Sequence, residues 1–334
     1  MRHEAFSNKA RGAVCGAFVG DALAMPVHWY YDREVLRRDY GLVDRYLAPK
    51  NPHPNSILWR SSYSPLNEKG EILHDQAAYW GRPGVHYHQF LKAGENTINL
   101  KILRLALDLA QSSAGYRPGV YVRSYVDFMR DPNGHNDTYL EEFHRGFFQN
   151  YASGTDLLNC GIVEKHIGGL VPVVPLYVTL LEATNDAAAD PAEIRDLVRR
   201  HVAVTHRGDQ VEAGVELLLD LADQVLSGVG LRDAIQARVE RQDSPFVSFP
   251  LVRWLAEDDL RVIGTHLSPA CYLQDSLPAV LYLALKYHDD ARSGLIANTM
   301  AGGDNAYRGA VLGALLGLEN GIEGLPREWI EGLV

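Results

Sequence analysis

Two stretches decide how this chain folds: Gly12-Ala13-Val14-Cys15-Gly16-Ala17-Phe18-Val19-Gly20 near its start and Gly309-Ala310-Val311-Leu312-Gly313-Ala314-Leu315-Leu316-Gly317 near its end. Each places glycine at every fourth residue, a spacing that strips the side chains from one face of a helix. Glycine costs roughly 1 kcal/mol per site relative to alanine inside a helix, so close backbone approach has to compensate. The pattern predicts two helices packed tightly together in the centre of the protein.

Polar residues mark the ends of these helices. Asp21 follows the first glycine face, just before Pro26 and His28, and Asp304 and Asn305 precede the second. Antiparallel packing brings those ends together. A carboxylate at a helix N-terminus is often only a cap, worth about 1 kcal/mol. Gly302 and Gly303, however, clear side-chain bulk from in front of Asp304 and permit a ligand to approach the backbone.

Outward from these segments the periodicity predicts helices over 98–113, 119–130, 138–150, 193–205, 209–227, 229–239, 276–288 and 307–318. Strand signals are sparse. The run Gly169-Leu170-Val171-Pro172-Val173-Val174-Pro175-Leu176 is β-like, but its two prolines bar it from a sheet interior, which leaves a turn feeding a helix as the other reading. Residues 43–95 are rich in Pro, Gly, Asn, His and aromatics without clear period, and predict a long ordered loop region with short helices. The expected architecture is all-α, a single domain over 1–334.

With 46% hydrophobic and 22% charged residues the chain is globular by composition and long enough to enclose a substantial core. A formal charge of −10 with no cluster of Lys and Arg excludes nucleic acid as a partner. A small anion remains compatible, because backbone N–H groups at helix starts bind phosphate without net positive charge. No uninterrupted apolar run reaches the roughly 18 residues of a membrane span, and no signal-peptide core follows Met1, so no membrane partner and a cytoplasmic location are expected. Cys15, Cys160 and Cys271 are far apart and odd in number, which suggests neither a disulfide framework nor a CxxC metal site.

Gly20-Asp21-Ala22-Leu23-Ala24-Met25-Pro26 resembles the opening motif of the ADP-ribosylglycohydrolase family, and Gly302-Gly303-Asp304 ahead of a small-residue helix resembles its closing motif. In between, Gly94-Glu95-Asn96-Thr97 stands where the family has Thr-Asp-Asp-Thr, and Gly168-Gly169 through Pro175-Leu176 is similar to its glycine loop before a helix. Thr205-His206 is similar to its Thr-His pair, and Ala270-Cys271-Tyr272 with Asp275-Ser276-Leu277-Pro278-Ala279 is similar to the block before the closing motif. The six blocks keep their order across residues 10–318. The resemblance implies a compact all-α domain that hydrolyses an N- or O-glycosidic bond to ADP-ribose with the aid of two Mg²⁺ ions. Lens crystallins of the family keep the fold without this chemistry, so function has to be argued from the site.

The site departs from the family in one direction. His28 stands where members carry Glu shortly after the opening Pro, Glu95-Asn96 where they carry Asp-Asp, and Asp304-Asn305-Ala306-Tyr307 where they carry Asp-x-Asp-Thr. Mg²⁺ wants hard oxygen ligands in octahedral array, so the binuclear centre is not expected. The expected cofactor is none or one divalent cation, held by Asp304 and Glu95 with His28 or Asn96, with the imidazole biasing the site toward Zn²⁺ or Mn²⁺. His86, His88 and the run His135-Asn136-Asp137-Thr138 with Glu141 and His144 lie near the altered positions.

Without metal, Asp304 or Glu95 is the expected general base, and His28 or His206 the group that protonates or polarises the leaving group. Asn96 and Asn305 are expected to orient ribose hydroxyls, and Gly168 and Gly169 to offer N–H groups to a pyrophosphate. Asp21, Thr97 and Tyr272 complete the expected substrate site. Three functions fit these residues: hydrolysis of an ADP-ribosyl or related ribosyl compound, hydrolysis of another small N-glycoside or amide, or a non-catalytic binding or structural role. The expected partner is accordingly a small molecule or an ADP-ribosyl substrate, and no residue pattern fixes an oligomeric state.

Overall fold

The computed structural model describes residues 2–184 and 190–334. Its axis is the pair formed by the N-terminal helix Arg2–Ala24 and the closing helix Asn305–Asn320, which run antiparallel with their glycine faces in contact. A Cβ built on Gly16 would fall 2.0 Å from the carbonyl oxygen of Gly313, and one on Gly313 would fall 2.0 Å from that of Gly16. Gly12 faces Gly317 and Gly20 faces Gly309 in the same way. The two backbones touch, so the glycine cost is offset by packing at a distance no other residue allows.

Around this axis the regular elements among the described residues are helices, apart from one parallel pair of two-residue strands, Ile162–Val163 with His206–Arg207, and three isolated bridges. Helices form at Ile98–Gln111, Pro118–Arg130, Glu142–Ala152, Pro191–Ala203, Asp209–Leu226, Leu231–Arg241 and Leu273–Lys286, close to the predicted spans. The β-like run is a single 3₁₀ turn, Ile167–Leu170, leading into the helix Val173–Ala183. Pro172 is the N-cap of that helix and Pro175 lies in its first turn, where backbone N–H groups have no intrahelical acceptor and proline costs nothing. Residues 43–95 contain short 3₁₀ turns and no α-helix.

Among the described residues one segment, Glu4–Val27, is long and apolar enough by length and composition to cross a membrane, although Lys9, Arg11 and Asp21 interrupt it. In the fold 83% of its apolar window is buried at the centre of the protein, as the core helix of a globular domain is.

Candidate active site

Asp304 ends the turn that joins the helix Ala291–Ala301 to the closing helix. Gly302 and Gly303 adopt positive φ, 69° and 66°, and what approaches them is protein backbone rather than ligand. A Cβ on Gly302 would meet the Tyr30 carbonyl oxygen at 2.2 Å, and one on Gly303 would meet that of Pro269 at 2.1 Å. The turn is stitched down by Gly303 N to Tyr30 O, Trp29 N to Gly303 O and Asp304 N to Pro269 O. Although Asp304 occupies the N-cap position, its side chain does not cap the helix. It is fully buried and turned toward two imidazoles.

One carboxylate oxygen lies 3.3 Å from His28 Nε2, and the other lies 3.1 Å from His166 Nε2 but outside hydrogen-bond alignment. Burial opposes the charge on Asp304, yet the two histidines more than offset it and hold the carboxyl far below the usual carboxylate range. His28 continues inward: its Nδ1 is 2.6 Å from His88 Nε2, and His88 Nδ1 is 2.5 Å from Asp137 Oδ1. The other oxygen of Asp137 accepts the backbone N–H of Ile98 at the start of the helix Ile98–Gln111, where the helix dipole favours a negative charge.

A second carboxyl, Glu141, accepts a hydrogen bond from the phenol of Tyr307, in the first turn of the closing helix, and its other oxygen makes no hydrogen bond but lies 3.8 Å from His144 Nε2. Burial pushes its proton affinity up to about 7. The sign for stability follows: a carboxyl whose folded value lies above its unfolded value of 4.5 destabilises the fold as pH rises between the two. Wild type should therefore lose up to about 3 kcal/mol relative to Glu141→Gln between pH 5 and pH 8. Denaturant titration of both proteins across that range checks this, and parallel curves would contradict it.

The residues expected from sequence divide into those brought together and those turned elsewhere. His28 touches Asp304. Asp21, Asn96 and Thr97 form their own buried group, in which Asp21 accepts from Asn96 Nδ2, Thr97 N and Thr97 Oγ1 at 2.9, 2.8 and 2.7 Å. Glu95 points away: one oxygen is 2.7 Å from Lys101 Nζ and the other accepts the Lys92 backbone N–H, so both are committed outside the Asp304 cluster. The N–H groups of Gly168 and Gly169 are also committed, to His166 Nδ1 and His166 O. Asn305 turns back to donate to Thr299 O. His206 packs against Phe143 and under Gly169, with Nδ1 on Thr205 Oγ1, and makes no contact with Asp304. Tyr272 is 51% exposed, at the rim beside Cys271.

Asp137 and Glu141, which the sequence places near the altered motifs without a role, belong to the cluster, as do His166 and Cys271, to which the sequence assigns no place in the site. His166 and Cys271 are joined by backbone pairing, with Ile167 N on Cys271 O and Leu273 N on Lys165 O, a contact across more than a hundred residues that no local pattern announces.

The sequence profile of the ADP-ribosylglycohydrolase family matches residues 2–334. The chain belongs to the ADP-ribosylglycohydrolase family. A solved structure described as "ADP-ribosylglycohydrolase-related protein complex" shares the fold with a TM-score of 0.61 at 20% identity, over 99% of this chain and 94% of that one. No curated protein matches the sequence.

Among the described residues, the positions at which the resemblance would place the two Mg²⁺ ions carry other contacts. Asp21 spends its oxygens on three protein hydrogen bonds, Asp304 faces two imidazoles, Ala306 has no ligand atom and Tyr307 gives its phenol to Glu141. Among the described residues one group, His166, Cys271 and Asp304, brings three possible ligand atoms within 4.8 Å of one another. The Gly168 amide, which can only donate, points at His166 Nδ1 from 2.9 Å. A proton is thereby placed on Nε2, the atom facing Asp304, and although burial opposes it, Cys271 and Asp304 raise the ring's proton affinity well above its usual value.

Proposed function

We propose that this protein hydrolyses a glycosidic bond to ADP-ribose or a related ribosyl compound, with Asp304 as the ionised carboxylate and Glu141 as the proton donor. The observation that carries this is the opposite proton affinity of two buried carboxyls, one bonded to Tyr307 and the other facing the two histidines against which Tyr307 packs. Asp304 is held ionised by His28 and His166, and Glu141, bonded to Tyr307, is kept protonated near neutrality by burial. Tyr307 packs edge-on against both histidines, with ring centroids 5.0 Å from His28 and 5.6 Å from His166. Pairs of carboxyls driven apart in this way divide the roles of glycoside hydrolysis. The ionised one activates water or stabilises the oxocarbenium-like transition state, and the protonated one donates to the leaving group.

Both carboxyls are buried, and the Pro269 carbonyl in the segment Ser268–Tyr272 accepts from Asp304 N. Cys271 is partly exposed, and Tyr31 and Tyr272 reach the surface beside it, so substrate entry in this reading requires that segment to move. The test is a pH profile on N- and O-linked ADP-ribosyl compounds and free nucleosides. Because Glu141 has to carry a proton, kcat/KM should fall as pH rises through about 7. Glu141→Gln should lower the rate about 10²- to 10⁴-fold and lose that limb, with recovery on substrates whose leaving group needs no proton. An unchanged profile in the variant would remove Glu141 from the role. Absence of hydrolysis for every ribosyl compound would favour a different N-glycoside or amide, or a non-catalytic relative.

A further inference from the structure

We propose that Arg308 is a positioning residue of the site, whose buried guanidinium fixes the turn carrying Asp304 and the segment Ser268–Tyr272 to one another. The side chain is fully buried, yet every acceptor it reaches is neutral. Nε donates to Asn298 Oδ1 at 2.8 Å, Nη2 to Asn298 O at 3.2 Å and to Gly302 O at 2.9 Å, and Nη1 to Pro269 O at 3.3 Å. A cation taken out of water persists only where its donors are satisfied. Arginine alone meets this geometry, because its planar group holds five N–H donors in a fixed fork.

The acceptors come from both sides of Asp304. Asn298 lies in the last turn of the helix Ala291–Ala301 and Gly302 just after it, where carbonyls lack intrahelical donors and the helix dipole favours a cation. Pro269 O, on the other side, also accepts Asp304 N at 2.9 Å, so the backbone of Asp304 and the guanidinium one turn later hold the same carbonyl. Asn298 closes the arrangement by donating from Nδ2 to Asn305 O at 2.8 Å. The glycine face of the closing helix makes room for it: a Cβ on Gly309 would fall 2.7 Å from Asn298 Nδ2.

A second guanidinium ties the same helix end to the stretch that leads into the segment. Arg33 donates from Nε to Ala301 O at 3.1 Å and from its other nitrogens to Leu260 O and Ile263 O. Beyond Pro269 the segment is held by Ile167 N on Cys271 O and Leu273 N on Lys165 O, at 2.9 and 2.8 Å. Pro269 O is therefore the point at which the closing helix grips it. When the segment moves to admit substrate, Asp304 N and Arg308 lose that acceptor together, so the cover and the carboxylate are set by one group. The catalytic consequence rests on the hydrolytic reading, whereas the structural coupling is tested without substrate.

The experiment is amide hydrogen exchange, read by NMR, on full-length wild type, Arg308→Lys and Arg308→Gln, with steady-state kinetics on the same samples. In Arg308→Gln the amides of Asp304, Ile167 and Leu273 should exchange at least about tenfold faster than in wild type, while those in the middle of the helix Asp209–Leu226 keep their rate. Arg308→Lys keeps the charge without the fork and should lie between. On a ribosyl substrate kcat should fall about 10- to 100-fold in Arg308→Gln with KM changed less than about threefold, because the carboxylate is displaced rather than removed. Unchanged exchange at Asp304, acceleration of equal size in the helix Asp209–Leu226, or an unchanged kcat would overturn the proposal. Absence of hydrolysis in wild type would count against the hydrolytic reading, and the exchange rates would still decide the coupling. If Arg308→Gln does not fold, Arg308→Lys and the side-chain ¹⁵N spectrum of wild type decide: separate, slowly exchanging Nη protons on Arg308 are expected, and a freely rotating guanidinium would sink the idea.

Discussion

Gly16→Ala and Gly313→Ala are each expected to cost at least about 3 kcal/mol, and the leucine variants to leave little folded protein at a typical domain stability of about 5–15 kcal/mol. The estimate comes from what the new atom meets. At both positions it falls 2.0 Å from a backbone carbonyl oxygen of the opposite helix, which belongs to a rigid element and cannot rotate aside. The helices would have to separate along their whole contact, and Gly12–Gly317 and Gly20–Gly309 would lose their close approach together. Gly119 is the control: it lies in the helix Pro118–Arg130 with nothing within 4 Å of a built Cβ, so alanine there should be neutral or stabilising by up to about 1 kcal/mol. Denaturant midpoints of the three alanine variants separate packing from helix propensity. Equal, small effects at all three sites would show that the glycine faces do not hold the core.

Asp304→Asn should reduce glycosidic hydrolysis at least about 10³-fold, within the range lost when a positioned acid or base is removed. The exchange keeps the shape and one acceptor oxygen but places an NH₂ group against an imidazole N–H on one side, so a stability loss of about 1–3 kcal/mol should accompany it. The pH dependence distinguishes charge from shape. Because the folded carboxyl is held below its unfolded value of 3.8, the stability it contributes is present above that value and is lost as pH falls through the folded one. The gap between wild type and variant should be constant from pH 5 to pH 8 and should narrow in acid below about pH 4.

Much of the fold was legible because it depends on repeats along single helices. Glycine at every fourth position names a bare face without knowledge of its partner, and two such faces in one chain name each other. The helix Val173–Ala183 was harder to read because Pro172 and Pro175 break a strand and, at a helix start, break nothing. The site was legible only in part. Asp304 and His28 flank the glycine helices and could be found from them, and His88 stood out as one of several histidines near the altered motifs. Glu95 misled because its place beside Asn96 and Thr97 does not fix its direction: those two turn inward to Asp21, and Glu95 turns outward to Lys101. His166 and Cys271 reach the cluster through tertiary pairing between distant loops, which carries no period and no spacing. Gly168 and Gly169 looked like an anion cradle because paired glycines do. The Gly168 amide in fact donates to His166 Nδ1 and so places the ring proton on Nε2, facing Asp304, and the Gly169 amide closes the turn on His166 O.

The most direct measurement of the central claim is release of ribose or ADP-ribose from N- and O-linked ADP-ribosyl substrates by the purified protein, with and without EDTA, beside Asp304→Ala. The account predicts hydrolysis by wild type that survives the chelator and disappears in the variant. Hydrolysis that is lost with EDTA and restored by Mg²⁺, or that persists in Asp304→Ala, would contradict it.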